Sequence, residues 1–208
     1  MNRKQKADLV ATLLDKYVPN PKIPLKHKDA FTLLIAVLLS AQATDKKVNE
    51  ITPALFKLAS TPKKMSEQSL SDIEKIIRPI GLYKTKAKAI KNLSKILVEK
   101  FHSKVPKTFE ELESLPGVGH KTASVVMCHA FDVPAFPVDT HIFRNARRWG
   151  LSSAKTVKKT EEDLKTLFPK KDWNKLHLQI ITYSRQYCPA KAHKIEKCPI
   201  CSKLHQAS

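Results

Sequence analysis

Glycine is scarce in this chain: Gly81, Gly117, Gly119 and Gly150 are the only four among 208 residues, and two of them flank a single residue in Leu115-Pro-Gly-Val-Gly-His-Lys-Thr-Ala123. A scarce residue used twice within three positions implies a special backbone geometry rather than flexibility. Such a turn lets backbone N–H groups approach a phosphate with no side chain intervening. The apolar run that follows (Thr122, Ala123, Val125, Val126, Met127, Cys128, Ala130) reads as a buried helix, so Lys121 falls in its first turn. The positive end of the helix dipole disfavours an ammonium so placed and favours a nucleophilic free amine. Asp139, in Val138-Asp-Thr-His141, opens the next helix. A surface lysine beside an ordinary helix corner is the plain alternative, but turn, amine and acid together suit imine chemistry on a phosphate-bearing ligand.

Apolar spacing is helical almost throughout. Leu9, Val10, Leu13, Leu14 and Tyr17 share one face of a first helix, ended by Pro19 and Pro21. Phe31, Leu34, Ile35, Leu38 and Leu39 predict a strongly amphipathic helix. Asp45 is expected to cap the next, with Val48, Ile51, Leu55 and Leu58 inward and Pro53 kinking or restarting it. Further helices are expected over 72–77, around Ala87 to Phe101, over 109–115, up to Phe131, and over 140–149, 157–168 and 173–187. No alternating strand is visible, so the expected fold is all-α. The linker near residues 19–24 and the proline-rich joint Val133-Pro-Ala-Phe-Pro137 suggest two helical domains, residues 23–132 and residues 1–22 with 133–208. The turn and Asp139 are expected at the mouth of the cleft between them.

Thirty-eight Lys and Arg against nineteen Asp and Glu leave a formal charge of +19, which makes a polyanion the expected partner. No apolar run approaches the ~20 residues needed to span a bilayer, and the N-terminus lacks an apolar signal core. A monomeric, cytoplasmic protein facing nucleic acid, associated with the nucleoid if bacterial, is the expectation, with no membrane role.

Several stretches carry a family resemblance. Leu34-Ile-Ala-Val-Leu-Leu-Ser-Ala-Gln-Ala-Thr-Asp45, Ile80-Gly-Leu-Tyr83, the hairpin Leu115–Ala123 and Val138-Asp-Thr-His-Ile-Phe-Arg144 together resemble endonuclease III, a helix-hairpin-helix DNA glycosylase with AP lyase activity. The resemblance covers nearly the whole chain. It implies a six-helix barrel domain carrying the hairpin, a discontinuous terminal helical domain, and repair of double-stranded DNA containing oxidised pyrimidines or abasic sites. By that resemblance Lys121 attacks the sugar C1′ of an extruded nucleotide and Asp139 stabilises positive charge on the sugar and helps deprotonate the lysine. Asp139 would at the same time serve as an ordinary N-cap. Gln42 matches the residue that fills the gap left by the flipped nucleotide, and Leu82 the apolar wedge beside it. Gly117, Val118, Gly119 and His120 match the phosphate-holding hairpin, His120 standing where relatives often carry arginine. If Gly119 needs positive φ, a side chain there should abolish the contact.

The C-terminus departs from the family. Relatives commonly end in C-x6-C-x2-C-x5-C around a [4Fe–4S] cluster, whereas this chain has Cys188, Cys198 and Cys201, an interval of nine, and Ala207 where a fourth cysteine would follow. Three readings stand side by side: a cluster with His205 or solvent as its fourth ligand, a zinc site of Cys188, His193, Cys198 and Cys201, or a relic turn without metal.

Two further functions fit the same stretches: a mismatch uracil/thymine glycosylase or lyase of abasic sites, and a non-catalytic helix-hairpin-helix module that holds DNA backbones. The module would need the glycine turn but neither Lys121 nor Asp139.

Overall fold

Side-chain caps punctuate this chain. Asn2, Asp29, Thr44, Thr61, Ser69, Thr108, Asp139 and Thr156 each accept from the backbone N–H three residues on, satisfying one of the donors that a helix start leaves orphaned. Twelve α-helices result in the computed structural model, which describes residues 1–206, and no strand occurs among them. The chain divides into two compact units, Ile23–Val133 and Met1–Lys22 with Pro134–Ser208.

The continuous unit holds α2 (Ala30–Ser40), α3 (Asp45–Leu58), α4 (Pro62–Glu67), α5 (Leu70–Ile77), α6 (Tyr83–Phe101), α7 (Phe109–Glu113) and α8 (His120–Ala130). All nine residues of α2 from Phe31 to Leu39 are buried. It is therefore a core helix with no wet face, not the amphipathic helix its spacing suggests, and α3, α6 and α8 pack around it. Thr44, rather than Asp45, caps α3; Asp45 sits in the first turn, where its charge suits the dipole. Pro53 does not divide α3, which runs unbroken. A proline withdraws one ladder bond, and buried Val48 and Ile51 before it and Leu55 after it hold both halves to one core.

The second unit contains α1 (Arg3–Tyr17), α9 (Thr140–Arg148), α10 (Val157–Leu167), α11 (Trp173–Gln186) and α12 (Pro199–Gln206), with 3-10 turns at Lys170–Asp172 and Ile195–Lys197. α1 packs on α10, α11 and α12. Its core gathers Leu14, Phe136, Trp149 and Tyr183, each at most 1% exposed, and the Trp149 and Tyr183 rings meet edge-on at 5.9 Å. Burial of each such side chain contributes about 1.5–3 kcal/mol. No helix among the described residues is long and apolar enough to cross a membrane.

Candidate active site

The glycine turn joins α7 to α8, and its two glycines serve different ends. Gly117 has φ +78°, and a Cβ there would stand 2.9 Å from Ala89 Cβ and 3.1 Å from Leu38 Cδ1. Conformation and packing against α2 and α6 both demand glycine. Gly119 has φ −94° and ψ 175°, extended backbone, and a Cβ there would meet nothing within 4 Å. The condition of positive φ is therefore not met at Gly119: its glycine leaves the chain bare on the outside of the turn rather than satisfying the fold. The Val118 N–H closes the turn on the Leu115 carbonyl at 3.1 Å. Val118 is 5% exposed and lies in the core. No side chain caps α8. Its first N–H groups point from a glycine turn with the dipole's positive end behind them, the arrangement that receives a phosphate.

Lys121 is the second residue of α8 and is exposed, while Ala123 to Cys128 turn into the core. Its neighbour His120 stacks on Phe109 at 5.6 Å and binds Glu113 Oε1 through Nδ1 at 2.7 Å. Glu113 is therefore engaged by the imidazole, and Lys121 makes no ion pair among the described residues. An amine without a carboxylate partner is not tied up in an ion pair.

Asp139 caps α9. Oδ1 accepts from the Ile142 N–H at 2.8 Å, and the Asp139 carbonyl accepts from Phe143. The approach to the cap is held by Phe136 and Val138, both buried, and by the Ala135 N–H donating to Asn174 Oδ1 at 3.1 Å. One carboxylate oxygen thus orients the group on the helix start. Lys121 belongs to the continuous unit and Asp139 to the discontinuous one.

Gln42 and Leu82 share an unusual property: both are exposed and both are left-handed, with φ 56° and 60°. For residues with a Cβ this costs about 1–2 kcal/mol, and such strain gathers where a side chain must be presented. Leu82 is 58% exposed at the uncapped start of α6. A Cβ at Gly81 would lie 4.0 Å from the Gln42 carbonyl oxygen, so the two turns are neighbours.

Lys86 escaped the reading of the sequence. It is 6% exposed, and its Nζ donates to the carbonyls of Leu39 at 3.0 Å and Ala41 at 2.5 Å. Burial pushes its pKa down. The ammonium closes the C-terminal end of α2 and braces the turn that carries Gln42. The one signal was a lysine among the inward positions of α6, and nothing local names carbonyls 45 and 47 residues earlier as its partners.

The cysteines of the discontinuous unit come together with one histidine. Donor atoms of Cys188, His193, Cys198 and Cys201 all lie within 4.8 Å of one another, a set able to hold a metal centre. None of the three cysteines is in a disulfide. Cys188 follows α11, Cys198 precedes α12, and Cys201 lies in its first turn. Arg148 Nη1 donates to Cys188 Sγ at 3.3 Å, and Tyr183 Oη meets Cys198 Sγ at 3.6 Å. The Cys188 and Cys201 thiols, both hydrogen-bonded to Cys198 Sγ, hold its pKa well below the usual thiol range. His205, exposed on α12, is not in the set, and Ala207 lies outside the described residues.

Residues 35–170 match the model of the HhH-GPD superfamily base excision DNA repair proteins. Endonuclease III of Treponema pallidum is 46% identical over 180 residues, spanning 86% of this chain and 85% of that protein. A trapped endonuclease III–DNA covalent intermediate superposes with a TM-score of 0.92 at 39% identity, over 96% of this chain and 94% of the other. A non-covalent endonuclease III–DNA complex superposes with a TM-score of 0.93 at 37% identity, over the full length of both.

Proposed function

This chain belongs to the endonuclease III family of the HhH-GPD superfamily of base excision DNA repair proteins, and from that membership we propose the roles of its own residues. It is a DNA glycosylase with AP lyase activity, and DNA is its partner. Oxidised pyrimidines are the chief lesions we assign to it, and the cytoplasm, at the nucleoid in a bacterial cell, its place of work as a monomer.

The sugar C1′ is unreachable inside a stacked duplex, so the damaged nucleotide is extruded. Leu82 wedges into the stack and Gln42 fills the vacated space. The backbone of Gly117, Val118 and Gly119, with His120 beside it, holds a phosphate. Lys121 Nζ, unprotonated, attacks C1′; the glycosidic C–N bond breaks and its electron pair leaves with the base. The nitrogen loses a proton as the sugar ring opens to the imine. Removal of a C2′ proton expels the 3′ phosphate by β-elimination, and water then releases the lysine. Asp139 stabilises the positive charge that develops on the sugar and receives the lysine's proton.

One observation carries this assignment: Lys121 is an exposed amine, paired with no carboxylate among the described residues, directly beyond an uncapped glycine turn. Borohydride added during reaction with an abasic duplex should fix a protein–DNA adduct in the parent and none in Lys121→Ala. An adduct that persists in that variant would move the nucleophile elsewhere. DNA binding retained without any adduct in the parent would favour the non-catalytic module.

A further inference from the structure

We propose that Cys188, His193, Cys198 and Cys201 form a closed tetrahedral site for a single divalent ion of the zinc class, in place of the four-iron cluster that the family implies. The distances carry the proposal. A tetrahedral ion with metal–sulfur bonds of about 2.3 Å holds its donor atoms about 3.8 Å apart. In a cubane each thiolate binds a different iron, which spreads the sulfurs to about 6.4 Å. Cys188 Sγ and Cys201 Sγ stand 3.8 Å apart, and no pair in the four-residue set exceeds 4.8 Å. The donors are spaced as the corners of a tetrahedron that one ion would fill, and a cubane does not fit between them.

The chain's own register agrees. Counted from Cys188, the spacing C-x6-C-x2-C-x5-C falls on Ile195, Cys198 and Leu204. Two of the four cluster positions are thus hydrocarbon, and Leu204 is packed in the core. His193 and Cys201, two and three residues earlier in the chain than those positions, supply donors instead. The buried Nε2 of His193 makes no hydrogen bond, an expensive state for an imidazole nitrogen and one that a metal relieves. Three thiolates and an imidazole around a divalent ion carry a net charge of −1. Arg148, donating to Cys188 Sγ and to the Pro189 carbonyl, supplies the compensating charge. Four protein ligands leave no open position, so the ion is structural. It pins residues 188–201 to the end of α11, and its formation is independent of the chemistry at Lys121.

The full-length protein, produced in cells supplied with both iron and zinc and purified without oxygen, tests this directly. Expected are about one zinc per chain, no acid-labile sulfide and no visible band. Exchange of zinc for cobalt(II) should yield the intense red-region absorption of tetrahedral cobalt thiolate. His193→Ala should hold zinc at least about 10-fold more weakly against a chelator, while His193→Cys, with four thiolates, should keep it. Iron and sulfide in equal amounts with a broad charge-transfer band would overturn the proposal. So would a metal-free parent whose three thiols react freely in the native state. The parent's metal content decides the matter even if a variant fails to fold, and it is read without DNA, so a failed borohydride experiment leaves it standing.

Discussion

The buried ammonium of Lys86 donates to the Ala41 carbonyl across 2.5 Å, so the turn presenting Gln42 is clamped from another helix. Among the described residues no carboxylate pairs with the lysine; two carbonyls at the end of α2 receive it. Lys86→Met keeps the stem and removes the clamp. Relief of burial offsets the lost bonds, about 1.5–3 kcal/mol for charged ones, so overall stability should shift little. The amides of Gln42 and Ala43 should exchange faster with solvent, and KM for lesion-containing DNA should rise more than kcat falls. Unchanged exchange would make Lys86 a passive core residue.

The two hairpin glycines should behave oppositely. Gly117→Ala forces a left-handed residue with a Cβ against Ala89 and Leu38 and should cost about 2–4 kcal/mol in thermal or urea unfolding. Gly119→Ala, extended and with open space around the new methyl, should unfold within about 1 kcal/mol of the parent yet bind DNA more weakly, because the methyl would stand where the proposed phosphate contact is made. Equal losses of stability at both would remove the distinction.

Asp139 has a capping role and a proposed chemical one, and two substitutions separate them. Asparagine retains the cap on the Ile142 N–H, so Asp139→Asn should fold normally and turn over roughly 10²-fold or more slowly. Asp139→Ala should lose activity to the same degree and about 1 kcal/mol of stability besides. Full turnover in the asparagine variant would leave Asp139 a cap only.

Much of the architecture was legible because an apolar periodicity of three to four residues needs no partner to be read. α1, α6 and α8 are examples. The short helices α4 and α12 escaped, since α4 buries only Pro62 and Met65 and α12 only Ile200, Cys201 and Leu204. Thr44 was passed over for Asp45 because both are capping types and only geometry decides between them. Lys121 and Asp139 stood out through their motifs. What stayed hidden was long-range: the carbonyls that claim Lys86, the neighbours that forbid a side chain at Gly117, and the choice of His193 over His205 beside the cysteines.

Acid should weaken the continuous unit through His129. Burial, and next the nearby His27, lower its pKa to about 4 against a partial upward pull from Asp132. Between pH ~6.5 and ~4 the unfolded chain therefore binds more protons than the folded one, and stability falls as pH falls, by up to about 3 kcal/mol from this group. Urea unfolding across that window should show the slope, and His129→Leu should flatten it. A parallel pH profile in the variant would assign the acid sensitivity elsewhere.

A helix with aliphatic contacts on every side cannot turn about its axis or slide without opening voids, and α2 from Phe31 to Leu39 is such a helix. The Gln42 turn hangs from its end and inherits the same positional tolerance. In the proposed mechanism the probe is thus a rigid one, and the bending and unstacking that would bring a damaged nucleotide to Lys121 fall on the duplex. Lesions that already loosen their own base step would be selected by that asymmetry before any pocket inspects them.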